Sequence, residues 1–296
     1  MSKEKYILIT AAHNEQDFIE ETILSVINQL CKPIEWIIVS DGSTDATESI
    51  VNKYVSENSF IKLLINNREK GHDFAKKVHA LNIGLKNIQT SEYDYIGILD
   101  ADVSFDKDYY SILIEEFKKN PKLGITGGNY FDIIGEKKIP IYQHYSVRGA
   151  TQFFRKECFD KIDGIKPLKY GGEDALACFA ARMYGWEIKN INSLIVLHHR
   201  ATGTTAGHIF RTRFRDGLVE YNIGYHPLFQ LVKCIGRIRQ KPIIIGSVLR
   251  FFGYWWANLK REKHIISKEL LSFIREDQIS RLKRLDFSQL FNSIKI

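Results

Sequence analysis

Trp36-Ile-Ile-Val-Ser-Asp-Gly-Ser-Thr-Asp45 passes from an apolar, β-branched run into a polar turn with a helix N-cap built in. A short apolar run bounded by turn residues fits a strand buried on both faces. Upstream, Tyr6-Ile-Leu-Ile-Thr10 has the same form. Phe18, Ile19, Thr22, Ile23, Val26 and Ile27 then recur at helical spacing over Glu15–Asn28. Downstream, the pattern predicts a helix from about Thr44 to Val55 and a strand over Ile61–Ile65. A helix from about Asp73 to Leu85 and a strand over Tyr95–Leu99 follow. This alternation predicts an α/β fold: a mostly parallel, Rossmann-like central sheet with helices on both faces. Ligands of such sheets bind beyond the carboxyl ends of the strands, so the polar residues just after each strand are where chemistry is expected.

Farther along, Pro121–Glu157 is β-rich and irregular. A helix opens at Gly172-Glu-Asp174, and a strand ends at Leu197-His-His199. Beyond about Gly203 the pattern turns helical, basic and aromatic. The expected organisation is one α/β domain over 1–202, in halves 1–103 and 104–202, followed by a helical region over 203–296. A chain of 296 residues, 44% hydrophobic, can bury a full core. Six prolines and no Gly/Ser tract argue against a long linker. Cys31, Cys158, Cys178 and Cys234 are scattered without a Cys-x-x-Cys, as expected of reduced, buried thiols. The opening residues run straight into a strand with no signal-peptide pattern. The longest apolar stretch, Pro242–Leu259, is interrupted by Arg250 and falls short of the ~20 apolar residues of a spanning helix. The net charge of +7 divides unevenly, with −3 over the first 200 residues and +10 over the rest.

Three strand ends carry polar groups: Thr10-Ala-Ala-His-Asn-Glu15, Ser40-Asp-Gly-Ser-Thr-Asp45 and Leu99-Asp-Ala-Asp-Val103. Two carboxylates at the end of one apolar strand, Asp100 and Asp102, repel each other unless a cation holds them. Hard oxygen ligands of this kind suit Mg²⁺ or Mn²⁺ shared with substrate phosphates. Each motif alone has a plainer reading. Asp102 or Asp106 can cap the next helix, and Asp-Gly-Ser-Thr-Asp can be a turn and a cap.

In combination, the motifs resemble family 2 glycosyltransferases of the GT-A fold over roughly residues 5–200. The family's opening strand and Ala-x-Asn-Glu appear as Ala11-Ala-His-Asn-Glu15, with Ala12 where Pro is common and His13 where Tyr is common. Its Asp-Asp-Gly-Ser-x-Asp appears with Ser40 in place of the first Asp. Its Gly-Lys…Leu-Asn-x-Gly appears as Lys77 followed by Leu81-Asn-Ile-Gly84. The resemblance implies that residues 1–103 form a nucleotide-binding half and 104–202 an acceptor half. Thr10, Ala11, Asn14 and Glu15 would then line the donor site, with Asp41 on the uracil imide and Lys77 near the nucleotide. Asp102 would hold the metal, with Asp100 nearby and Gly149 beside the donor sugar. Glu173-Asp174 resembles the acidic pair that opens the acceptor-side helix, with Asp174 as general base. Simple helix capping explains the same pair. His198 or His199 would add a metal ligand, and the sequence does not choose between them.

The implied activity is inverting transfer of a sugar from a nucleoside-diphosphate donor, UDP-linked in the usual family member. The acceptor is a hydroxyl of a glycan or lipid-linked acceptor, and the cofactor a divalent ion, Mn²⁺ or Mg²⁺. Arg211 and Arg215 lie where polymerising relatives contact the donor diphosphate, although the Trp of that motif is absent. Residues 228–263 mix apolar, aromatic and basic residues at helical spacing, which suits an anionic membrane surface. Packing against the catalytic domain is the alternative. The expected location is cytoplasmic, peripheral on the inner face of the membrane, with no nucleic-acid partner. A sugar-nucleotide pyrophosphorylase would need a glycine-rich loop after the first strand, and Ala11–Glu15 has no glycine. A catalytically degenerate scaffold of the same fold is the other alternative, given Ser40 and Ala12.

Overall fold

The computed structural model describes residues 4–67, 75–141, 146–200 and 209–284. Backbone contacts divide the chain into two compact units. One comprises Met1–Pro167 with Glu173–Ala201, and the other Leu168–Gly172 with Thr202–Ile296.

The first unit opens with β1 (Tyr6–Ala12), α1 (Ile19–Ile27), β2 (Glu35–Asp41), α2 (Thr47–Glu57), β3 (Ile61–Asn66), α3 (Ala75–Lys86) and β4 (Tyr95–Leu99). These four strands lie in the order β3-β2-β1-β4, every pair parallel, as the alternating pattern predicts. α1 and α2 start later than hydrophobic spacing alone predicts. Residues 15–18 form a turn, Phe18 and Ile19 donating to the Glu15 carbonyl, before α1 begins. Asp45 accepts from the Thr47 backbone N–H at 3.0 Å, so α2 begins at Thr47 rather than Thr44.

Next come β5 (Val103–Phe105), α4 (Tyr109–Lys119), β6 (Leu123–Ile134), β7 (Lys137–Ile141), β8 (Thr151–Arg155), α5 (Lys156–Lys161), α6 (Glu173–Met183) and β9 (Glu187–His198). They extend the sheet as β4-β8-β6-β9-β5, with β7 on β6. β8 runs antiparallel to β4, while β6 and β9 run parallel to each other. The aromatic core of Tyr6, Tyr95, Tyr110, Phe117 and Phe153 is buried beneath this joint.

Gly84 shows how the core sets the site. A Cβ there would lie 2.7 Å from Ile9 Cγ2 and 3.2 Å from Val39 Cγ2, so only glycine lets α3 sit this close to β1 and β2. Lys77, seven residues earlier, stands about two turns away on the same side of the helix. Close packing at Gly84 therefore fixes where Lys77 reaches.

The second unit holds α7 (Ile209–Ile223), α8 (Pro227–Gly236), α9 (Ile245–Leu259) and α10 (Lys268–Arg284). Cβ atoms at Gly217 and Gly253 would each lie 2.0 Å from a carbonyl oxygen of the facing helix, so α7 and α9 cross nearly backbone to backbone. Arg250, the charge that interrupts the apolar stretch, is buried there. It donates to Glu220 through Nε at 3.0 Å and Nη2 at 2.8 Å. Lys233 reaches the same carboxylate at 2.7 Å, and Asp216 lies 3.3 Å from Arg250 Nη1. A buried charge is tolerated when it is paired and hydrogen-bonded, which Arg250 is. Among the described residues no helix is long and apolar enough to cross a membrane.

Candidate active site

The acidic strand end Asp100-Ala-Asp102 joins β4 to β5, and both sides are pinned. The Asp100 N–H donates to the Ala150 carbonyl at 2.9 Å. The Thr22 hydroxyl accepts from the Val103 N–H at 3.1 Å and donates to the Val103 carbonyl at 2.7 Å. The two aspartates hang from a fixed backbone at the carboxyl edge of the sheet.

Two clusters of charge meet on them. Lys77 Nζ lies 2.6 Å from Asp100 Oδ1. Burial works against the lysine's charge, yet Asp100, Glu173 and Asp102 more than offset it and raise its pKa above the ordinary range. Glu173 opens α6 after Gly171 and Gly172, both at positive φ, where a side chain would be strained. Burial raises its pKa, with Lys77 opposing and Asp174 reinforcing the shift. Asp174 accepts from the Gly149 N–H at 3.2 Å and the Ala175 N–H at 2.7 Å, so both carboxylate oxygens are aimed by backbone. A Cβ on Gly149 would come within 3.1 Å of the Asp174 Cβ, so the two residues pack closely here.

The second cluster surrounds Asp102. Burial and the neighbouring Asp100 raise its pKa, and His198, Arg200 and Lys77 oppose the shift. His198 Nε2 lies 3.6 Å from Asp102 Oδ2, and Arg200 Nε lies 3.8 Å from the same oxygen. Arg200 also pairs with Glu15 and stacks its guanidinium over the Phe18 ring at 5.3 Å. Burial pushes the Glu15 carboxyl up to about 8, against the pull of Arg200.

The structure separates the two histidines. His198 ends β9, where it pairs with Val103 of β5 and Asp132 of β6. Its Nδ1 lies 2.9 Å from Asp132 Oδ1. Successive strand side chains point to opposite faces. His199 accordingly places its Nε2 2.8 Å from Ser104 Oγ and 2.9 Å from Glu21 Oε2.

Other expected residues divide as follows. Asp41 ends β2 and is buried. Its carboxylate accepts from Asn66 Nδ2 at 2.8 Å, and its carbonyl lies 2.8 Å from His13 Nδ1. It stands two strands from β4, about 10 Å across the sheet edge. Ala11 is half-buried on β1, paired with Val39. Asn14, at φ 54°, accepts from the Thr44 N–H at 2.8 Å and ties the first strand end to the second. Thr10 turns its side chain away from the sheet edge. It is fully buried, and its hydroxyl accepts from Trp36 Nε1 at 3.0 Å, so the side chain serves the core. Ser40 is buried as well and donates to Glu48 at 2.6 Å. Arg211 and Arg215 stand on α7 of the second unit.

Sequence reasoning missed Asp132 and Arg200. A charged residue inside the apolar run Tyr130-Phe-Asp-Ile-Ile134 is the signal for the first. Arg200 carried none beyond following the histidine pair.

The family model described as "Glycosyl transferase family 2" matches residues 7–182, more than half of the chain. The chain belongs to glycosyl transferase family 2. Among curated relatives, this family 2 member is 39% identical over 127 residues to a poly-β-1,6-N-acetyl-D-glucosamine synthase of Staphylococcus aureus. The match covers 43% of this chain and 28% of the relative. The Staphylococcus epidermidis synthase of the same name is 37% identical over 123 residues, 41% of this chain and 27% of the relative. The matched part is thus under a third of the curated relatives' length. Among solved structures, the mannosyltransferase PcManGT from Pyrobaculum calidifontis, in complex with GDP-Man and Mn²⁺, has a TM-score of 0.57 at 16% identity. It covers 98% of this chain and 84% of its own. TarS 1–349 of S. aureus in complex with UDP-GlcNAc has a TM-score of 0.55 at 15% identity, covering 85% and 71%. These likenesses establish the fold as GT-A.

Proposed function

We propose that the protein transfers a sugar, with inversion, from a UDP-linked donor to a hydroxyl of a glycan or lipid-linked acceptor in cell-surface polysaccharide or glycolipid synthesis. The observation that carries this reading is Asp102. Its Oδ2 faces His198 and Arg200, while its Oδ1 is buried with no hydrogen-bond partner among the described residues. A buried carboxylate oxygen left unpaired is costly, and a divalent cation is the partner whose chemistry fits. Asp102 and His198 would hold it, and Mn²⁺ or Mg²⁺ there supplies positive charge to the departing diphosphate.

The chain's own residues do the rest. Lys77 and Arg200 place cationic charge beside Asp100 and Asp102, where the diphosphate's charge develops. Asp174, held by two backbone N–H groups, takes the acceptor hydroxyl's proton as general base. Asp41 receives the imide hydrogen of the uracil ring. A single displacement served by one base inverts the anomeric centre. The relatives support this direction: an N-acetylglucosamine polymer synthase, a structure with UDP-GlcNAc and another with a sugar nucleotide and Mn²⁺. The test is release of UDP from UDP-sugars by the full chain with Mn²⁺. Turnover that chelation abolishes supports the reading, and no turnover of any nucleotide sugar with any divalent ion overturns it.

We further infer that the protein works at an anionic membrane surface through residues 228–263. Leu228, Leu231 and Ile235 leave one stripe of α8 exposed, and Phe252, Trp256 and Leu259 one stripe of α9. Exposed Arg239, Lys241, Lys260, Arg261 and Lys263 accompany them. An apolar stripe with basic residues suits a helix lying in the headgroup region. Each basic residue near such a surface adds about 1 kcal/mol.

A further inference from the structure

Three neighbouring strands bring His198 between two carboxylates. β6 and β9 are parallel and pair Asp132 with His198, and β9 and β5 are antiparallel and pair His198 with Val103, the residue after Asp102. The two contacts of the ring differ in kind. Nδ1 stands 2.9 Å from Asp132 Oδ1, a hydrogen bond, whereas Nε2 stands 3.6 Å from Asp102 Oδ2, beyond hydrogen-bond reach. Asp132, not Asp102, therefore fixes the ring. Asp132 is itself only 4% exposed, on a strand among apolar residues, a place where a carboxylate is stable only when hydrogen-bonded.

We propose that Asp132 is a positioning residue: by accepting the Nδ1–H of His198 it fixes the ring with Nε2 aimed at the cation site on Asp102. A histidine that donates one ring N–H to a carboxylate has its tautomer and orientation fixed and its other nitrogen made more basic. His199 shows what the arrangement adds. It follows directly in the chain but lies against Ser104 and Glu21 instead. The inference rests on the reading of Asp102 and His198 as cation ligands.

The test is titration of Mn²⁺ onto the full chain with UDP present, followed by electron paramagnetic resonance of unbound Mn²⁺. Wild type, Asp132→Asn, His198→Ala and the double variant are compared. The proposal expects Asp132→Asn to weaken Mn²⁺ binding about tenfold or more. It expects the double variant to be no weaker than His198→Ala alone, because the effect of Asp132 on the cation runs through that ring. Wild-type affinity in Asp132→Asn, or losses that add in the double variant, overturn it and leave the proposed function standing. Wild-type protein that binds no Mn²⁺ overturns both. A second measurement needs no variant to fold: ¹⁵N resonances of the wild-type imidazoles above pH 8. His198 is expected to carry its proton on Nδ1, and a proton on Nε2 overturns the proposal.

Discussion

Lys77 Nζ and Asp100 Oδ1 stand 2.6 Å apart, and that ion pair ties α3 to the end of β4 at the candidate site. The lysine comes from α3, a helix that Gly84 seats against the sheet, and the aspartate from the end of β4. Glu173 on α6 acts on the same lysine. If Lys77 turns part of its charge to the donor diphosphate, Lys77→Met is expected to weaken UDP binding about 10- to 100-fold, the range of one hydrogen bond to a charged group. Isothermal titration of UDP in the presence of Mn²⁺ checks this. Unchanged affinity would confine Lys77 to holding Asp100.

Asp174→Asn keeps the shape of the side chain and an oxygen for the Gly149 N–H, but removes the base. Turnover is expected to fall by about 10²–10⁴, the usual contribution of a general base. UDP affinity should stay within about twofold. Steady-state kinetics beside UDP titration separates the two. A variant that loses donor binding and turnover together would mark Asp174 as part of the donor site instead.

Part of this site is legible in the sequence because several of its carboxylates stand at strand ends. Asp41, Asp100 and Asp102 end β2 and β4, and a parallel sheet brings such ends to one edge. Asp132 is not legible in that way. It sits 66 residues from His198 and reaches it only because β6 and β9 pair in parallel. The choice between His198 and His199 depends on strand alternation, whose phase the sequence alone leaves open. The inward turn of the Thr10 side chain to Trp36 is equally hidden, for the same reason. Arg250 reads in sequence as a break in an apolar stretch, whereas Glu220, 30 residues earlier, makes it a buried ion pair.

That ion pair sets an acid limit on the second unit. Burial works to raise the Glu220 pKa, but Lys233 and Arg250 prevail and hold it down to about 2. An unfolded glutamate titrates near ~4.3. The folded value is depressed, so the stabilisation is complete above the unfolded pKa and lost as pH falls from about 5 toward 2. Glu220→Gln is expected to be destabilised by a few kcal/mol at pH 7 and to lose less stability than wild type between pH 5 and pH 3. Chemical denaturation at several pH values reads this. Parallel pH profiles would show that Glu220 is not what the acid titrates.

The exposed stripes of α8 and α9 make a prediction in vesicles. Phe252→Glu with Trp256→Glu adds two negative charges and removes two exposed aromatic rings. Co-sedimentation with vesicles rich in phosphatidylserine is expected to fall at least tenfold, while UDP binding is unaffected. Equal sedimentation of wild type and variant, or wild-type protein that ignores charged vesicles, counts against the membrane reading.

If Asp102 carries the divalent ion that the donor's diphosphate requires, UDP affinity with and without Mn²⁺ in wild type and Asp102→Asn reads it. Mn²⁺ is expected to tighten UDP binding to wild type by at least tenfold and to leave the variant unchanged. An Asp102→Asn protein that shows the same Mn²⁺-linked gain would contradict the account.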